Sequence, residues 1–108
     1  MENKTPMDLL RQFAPEFADH QMEMRRLLFE DPKYQQVPRK YKLLAGIAAA
    51  AVLGSETCTE MWTKLALQAG VSLQEISEII QVARYMKMAT VNDTVKTTYQ
   101  LLDSVQPR

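Results

Sequence analysis

Apolar side chains recur at three- and four-residue spacing along most of this 108-residue chain. That spacing is the period of an amphipathic α-helix, in which one stripe of the surface faces the core. No stretch alternates between apolar and polar residues with the period of two that marks a half-buried strand. The pattern therefore predicts an all-α fold, a bundle of about five or six helices.

Short polar motifs predict where several helices begin. Thr5 is a suitable N-cap and is followed by Pro6, which favours the first helical position. Pro15 and Pro38 are predicted to open the next two long helices. Helix starts are thus specified locally across the first third of the chain.

The second half carries clearer signals. Ser72, with a glutamate three residues later, forms the capping box of a long helix. A last helix is predicted from about Val91 to Val105, with Thr90 or Asn92 as its cap.

The stretch from Arg39 to Ala69 contains the most unusual pattern. Leu43–Leu53 is apolar on every side and rich in alanine, and it ends at Gly54. A helix of this kind must be buried on most sides, and a 108-residue chain has few other elements to cover it. We therefore expect a homo-oligomer.

Another helix is predicted after Gly54, with the only cysteine and the only tryptophan near its start. Cys58 and Trp62 lie four residues apart, on the apolar stripe of that helix. The start of this helix is therefore the first candidate for a catalytic site.

Composition narrows the functional classes. Lys and Arg together number 13, as do Asp and Glu, and the signs are mixed along the chain, which gives no basic field for nucleic acid or for a membrane surface. The N-terminus has no secretory pattern, and the apolar run is shorter than the ~20 residues of a membrane span. We expect a cytoplasmic protein with no nucleic-acid or membrane partner.

The chain has one cysteine and one histidine, His20, and so has few of the side chains that usually bind metals or cofactors. A single cysteine excludes an internal disulfide and a cysteine-rich zinc site. We expect no metal and no cofactor.

The residues from about Lys40 to Met88 resemble a known family. An alanine-rich helix ending in Leu-Gly is followed by a short polar segment with Cys58 and then by Lys-Leu-Ala-Leu-Gln-Ala-Gly-Val-Ser-Leu-Gln-Glu-Ile. This combination resembles the carboxymuconolactone decarboxylase family, which includes the alkylhydroperoxidase D-like proteins. The resemblance implies one helical domain over residues 1–108, built around an antiparallel helix hairpin. It also implies homo-oligomers, commonly trimers or hexamers, with sites near subunit contacts.

The resemblance also implies where catalytic residues would lie. Alkylhydroperoxidase D-like members reduce peroxides with a Cys-x-x-Cys pair, a following His and a preceding Glu. The second Cys falls on Cys58, whereas the first falls on Ser55, the His on Trp62 and the Glu on Leu43. The standard dithiol set is therefore degenerate in this chain.

We take Cys58 as the candidate catalytic residue and Ser55, Trp62 and Arg39 as candidate substrate-binding residues. Each has a structural alternative. Cys58 and Trp62 also fit a packed core, and Ser55 also fits an N-cap. Arg39, with Lys40 and Lys42, suits either an anionic ligand or a salt-bridge cluster that is solvated or lies between subunits.

Three functions stay open at this stage, and whether the protein is an enzyme stays open with them. The first is an oligomer that kept the scaffold, lost the dithiol chemistry and binds a small molecule or has an altered activity. The second is an antioxidant peroxidase that uses Cys58 with an external thiol. The third is a lyase-like decarboxylase or an isomerase acting on a small organic acid. The basic residues beside the apolar helix suggest it, because they could bind a carboxylate.

Overall fold

A computed structural model describes residues 3–107, and over that range the chain forms six α-helices, one 3₁₀ turn and no strand. The all-α prediction is confirmed. The helices are α1 (Pro6–Phe13), α2 (Pro15–Phe29), α3 (Arg39–Leu53), α4 (Glu56–Gln68), α5 (Leu73–Thr94) and α6 (Lys96–Val105), with the 3₁₀ turn at Pro32–Tyr34.

Two compact units divide the chain after Lys42. The first contains α1, α2, the 3₁₀ turn and the beginning of α3. Its first helix has a capping box, in which Thr5 Oγ1 accepts from the Asp8 N–H at 3.1 Å and the Asp8 carboxylate accepts from the Thr5 N–H at 2.9 Å. Pro6 and Pro15 each occupy the start of a helix, as the sequence predicts.

The second unit contains the rest of α3 and helices α4 to α6. Its buried apolar residues come from α3, α4, the turn before α5 and α5 itself: Leu43, Leu44, Ile47, Ala50, Ala66, Val71, Ile76 and Ala83. Gly54 (φ +79°) and Gly70 (φ +84°) hold the turns on either side of α4 in a backbone region that other residues rarely adopt. The predicted capping box also forms, because Ser72 Oγ accepts from the Glu75 N–H at 3.1 Å.

The end of the chain differs from the prediction. Helix α5 continues to Thr94, so that Thr90 and Asn92 lie inside it rather than at the start of a new helix. The Thr90 hydroxyl donates to the Lys87 carbonyl within the same helix, at 2.7 Å. The break falls at Val95, whose side chain cannot cap, and this explains why no sequence signal marked it.

Much of the apolar surface is solvent-exposed. Leu53 is 83% exposed and Phe17 is 72% exposed, and α6 has no buried residue. Leu73 and Met86 of α5 are also exposed. Over residues 3–107 no helix combines the length and the apolar character that crossing a membrane requires.

Candidate functional site

The turn between α3 and α4 brings Ser55 and Cys58 together. Ser55 is the N-cap of α4, and its Oγ accepts from the Cys58 N–H at 3.2 Å. Two main-chain bonds fix the turn, from the Gly54 N–H to the Ala51 carbonyl at 3.2 Å and from the Ser55 N–H to the Ala50 carbonyl at 3.0 Å. The predicted capping role of Ser55 is confirmed.

Cys58 is the third residue of α4, and its thiol is free and half-buried. The exposed carboxylate of Glu56 lies in the same first turn. Glu60 forms an exposed i, i+4 ion pair with Lys64 at 2.9 Å.

Trp62 lies one turn beyond Cys58 and is half-buried. Its indole packs over Gly46 of α3, where a β-carbon would stand 3.5 Å from Trp62 Cδ2 and 3.6 Å from Cγ. The side chain that replaces the catalytic His of the dithiol motif therefore contributes to the packing of α4 against α3.

Arg39 is the first residue of α3 and is exposed. It stands at the opposite end of this 15-residue helix from Gly54, roughly 20 Å away at 1.5 Å per residue. Arg39 belongs to the first unit, whereas Ser55 and Cys58 belong to the second. A shallow cleft of about 300 Å³ adjoins the α4 start instead, lined by Ala51, Gly54, Ser55, Glu56 and Thr59.

The basic residues at the start of α3 have separate roles. Lys42 is half-buried, and its ammonium donates to the carbonyl oxygens of Leu28, at 2.6 Å, and of Tyr34. It therefore fastens the start of α3 to the end of α2 and to the 3₁₀ turn. Lys42 is therefore bonded to main-chain carbonyls and is not part of a solvated cluster with Arg39 and Lys40.

Further hydrogen bonds organise the same segment. Gln35 Nε2 donates to the carbonyls of Leu28 and Asp31, at 3.1 and 3.0 Å. Arg26 pairs with Glu23 at 2.7 Å and with Asp31 at 3.2 Å. The bond from Arg26 is the main cause of a lowered pKa at Glu23, and the Lys33 N–H is the main cause of a lowered pKa at Asp31.

An open cleft of about 630 Å³ lies within the first unit, between α2 and the residues that follow it. Its apolar wall is formed by Met24, Leu27, Leu28, Tyr34 and Val37. Lys33, Gln36 and Lys42 complete the lining. Sequence reasoning missed this cleft because it depends on Lys42 bonding to a carbonyl 14 residues away, which no periodic pattern reports.

Comparison with known proteins assigns the scaffold. The family model described as "Carboxymuconolactone decarboxylase family" matches residues 15–95, which is most of the chain. The chain belongs to the carboxymuconolactone decarboxylase family. None of the curated proteins matches it closely enough to count as a relative.

A crystal structure of a protein from Methanobacterium thermoautotrophicum shares the fold of this carboxymuconolactone decarboxylase family member. The TM-score is 0.76 at 22% sequence identity, and the match covers 85% of this chain and 97% of that one. At this identity the likeness concerns the fold alone.

Proposed function

We propose that the protein is an oligomeric carboxymuconolactone decarboxylase-like protein that lacks dithiol peroxidase chemistry and acts by binding a small molecule. The observation that carries the proposal is the role of Ser55. It occupies the place of the first thiol, and its hydroxyl oxygen is engaged as the cap of α4 by the Cys58 N–H. The residue that should resolve an oxidised thiol is a structural alcohol.

The chemistry of a dithiol cycle explains why this substitution matters. A thiolate attacks the peroxide O–O bond, which gives a sulfenic acid and releases the alcohol or water. A second thiol then displaces hydroxide from the sulfenic sulfur to form a disulfide, and an external reductant regenerates both thiols. A serine hydroxyl cannot form that disulfide, so oxidised Cys58 has no partner within the motif.

Exposed apolar surface supports the oligomeric part of the proposal. Leu53, Phe17, Leu73 and Val105 are each more than 70% exposed in the single chain. Single exposed apolar residues are common, but a chain of this size with many of them gains stability by covering them with other copies.

Stopped-flow peroxide reduction tests the redox part. The wild-type protein and the Cys58→Ser variant should both consume hydrogen peroxide or an alkyl hydroperoxide at the background rate, with dithiothreitol as reductant. The Ser55→Cys variant is the positive arm, since it restores the Cys-x-x-Cys spacing and should form a disulfide after oxidant treatment. A wild-type rate clearly above that of Cys58→Ser would overturn the proposal.

A thiol-dependent peroxidase that uses Cys58 alone is the second candidate. Its support is the position of Cys58 as the third residue of a helix, half-exposed to reactants. This enzyme would need an external thiol to attack the Cys58 sulfenic acid, releasing water and forming a mixed disulfide. A rate that rises with added thiol and disappears in Cys58→Ser would establish it.

A further inference from the structure

The 630 Å³ cleft of the first unit has the features of a ligand site, although it lies outside the residues that correspond to the dithiol motif. We propose that it binds a monocarboxylate with an aliphatic chain. This inference rests on the proposed binding function and names its ligand class. It requires no residue of α4.

The walls of the cleft suit an alkyl chain. Met24, Tyr34 and Val37 line it and are 62%, 54% and 53% exposed, so apolar surface is available there in the single chain. Small-molecule sites are typically clefts of 300–1,000 Å³ with mostly apolar linings and a few polar groups. The cleft matches that description in both volume and lining.

The polar side of the cleft is cationic. A lysine ammonium has three donors and no acceptor. Two of the Lys42 donors go to the carbonyl oxygens of Leu28 and Tyr34, which are neutral acceptors and leave the charge of the ammonium uncancelled. One donor remains for a ligand, and Lys33 is a second lysine in the same lining.

The combination selects the charge and shape of the ligand. An apolar wall beside the ammonium of half-buried Lys42 favours a molecule with one anionic end and an apolar body. A multiply charged phosphate would have to lose hydration against the apolar wall, which is costly. A single carboxylate can accept from the ammonium while its chain covers the exposed side chains.

Sodium octanoate, used below its micelle concentration, is the probe. Titration followed by amide NMR shifts should show saturable binding, with the largest changes at Lys33 and Val37. Octanol, which has the same chain without the charge, should bind at least tenfold more weakly. Each methylene added between butanoate and octanoate should tighten Kd by about fourfold.

A matched pair of variants locates the site. Met24→Glu places a carboxylate in the cleft and should weaken octanoate binding at least tenfold, because like charges repel. Met86→Glu makes the same change at a comparably exposed methionine of α5 and should leave Kd unchanged. Both sites lie on helix surfaces that tolerate glutamate, and a circular dichroism spectrum confirms folding of each variant.

Three results would overturn the inference: no saturable octanoate binding, equal affinity for octanoate and octanol, or equal losses in the two variants. None of them bears on the peroxide assay with Cys58→Ser. The proposed loss of dithiol chemistry can therefore stand or fall separately from this ligand.

Discussion

The Trp62 indole packs over Gly46, with the site of a β-carbon on Gly46 only 3.5 Å from Trp62 Cδ2. A contact at that distance is ordinary van der Waals contact, so the ring leaves room for a methyl group at position 46 and little more. This relationship joins α3 and α4 at the residue that replaces the histidine of the dithiol motif.

Gly46→Ala should stabilise the protein by about 0.5–1 kcal/mol, because alanine loses less backbone entropy inside a helix and its methyl group fits against the indole. Gly46→Leu should destabilise it, since the larger side chain needs the space of the ring. Urea unfolding monitored by circular dichroism measures both, with Ala49→Gly on the exposed side of α3 as the opposite control. A loss of stability in Gly46→Ala would contradict the contact.

Removal of the α4 cap should lower the free energy of unfolding while the fold is kept. Ser55→Ala should lower the free energy of unfolding by about 1 kcal/mol, whereas Ser55→Asp should retain most of it. The matched control is Thr57→Ala, at an exposed residue of the same first turn, for which a change within about 0.5 kcal/mol is expected. If Ser55→Ala and Thr57→Ala were equally stable, the hydroxyl would not be acting as a cap.

These caps also explain which helix boundaries the sequence predicts. Ser55, Ser72 and Thr5 begin helices through side chains whose chemistry is visible in the sequence. The break at Val95 has no such side chain, and the threonines before it instead bond within α5. A helix end set by backbone geometry alone carries no local signal, so the sequence predicts the start of the last helix at Val91, whereas α6 begins at Lys96.

Replacing Arg26 with glutamine should affect its two carboxylate partners unequally. The Arg26 side chain is the first cause of the lowered pKa of Glu23, whereas the pKa of Asp31 is lowered first by the Lys33 N–H. The pKa of Glu23 should therefore rise more than that of Asp31 in Arg26→Gln. A carboxyl NMR titration of both proteins measures this, and a larger rise at Asp31 would contradict the assigned hydrogen bonds.

Stability should fall in acid. Asp8, Glu23 and Asp31 have folded-state pKa values below their ordinary values of 3.8, 4.5 and 3.8, through bonds that require the charged form. Their contribution is present above the ordinary values and is lost as the pH falls through the lowered folded values. The free energy of unfolding should decline below about pH 4.5.

Urea unfolding at several pH values measures that decline. The Asp8→Asn variant removes one of the three titrating groups and should show a shallower decline between pH 4.5 and 2.5. An identical slope in wild type and variant would show that the Thr5–Asp8 capping box does not contribute to acid sensitivity.

The native mass is expected to be three or six times the 12.4 kDa of the chain. Leu53→Lys places a charge on one of the most exposed apolar side chains, at the last residue of α3, where a cation suits the helix dipole. Light scattering after size exclusion should show a lower mass for this variant. Gln68→Lys, at the last residue of α4, is the matched control, and a 12.4 kDa wild-type species would refute the oligomer.

The sequence locates the α4 start better than it locates the ligand cleft. Ser55 and Cys58 lie three residues apart, so their contact follows from helix geometry alone. The cleft needs Leu28, Tyr34 and Lys42 to meet across a 3₁₀ turn and a non-helical connection. Such long-range bonds depend on how the chain turns back on itself. The sequence shows a group of basic residues at Arg39, Lys40 and Lys42, but it does not indicate that Lys42 is the one that bonds to the carbonyls.

The hydroxyl cap of α4 has a consequence for a protein that meets oxidants. An alcohol does not undergo the stepwise oxidation to sulfenic, sulfinic and sulfonic acids that a thiol undergoes. The Ser55 oxygen therefore accepts the same hydrogen bond in a reduced and in an oxidised environment. Within this turn only the Cys58 thiol can follow that oxidation series, whereas the cap bond itself, from the Cys58 N–H to the Ser55 oxygen, involves no sulfur atom.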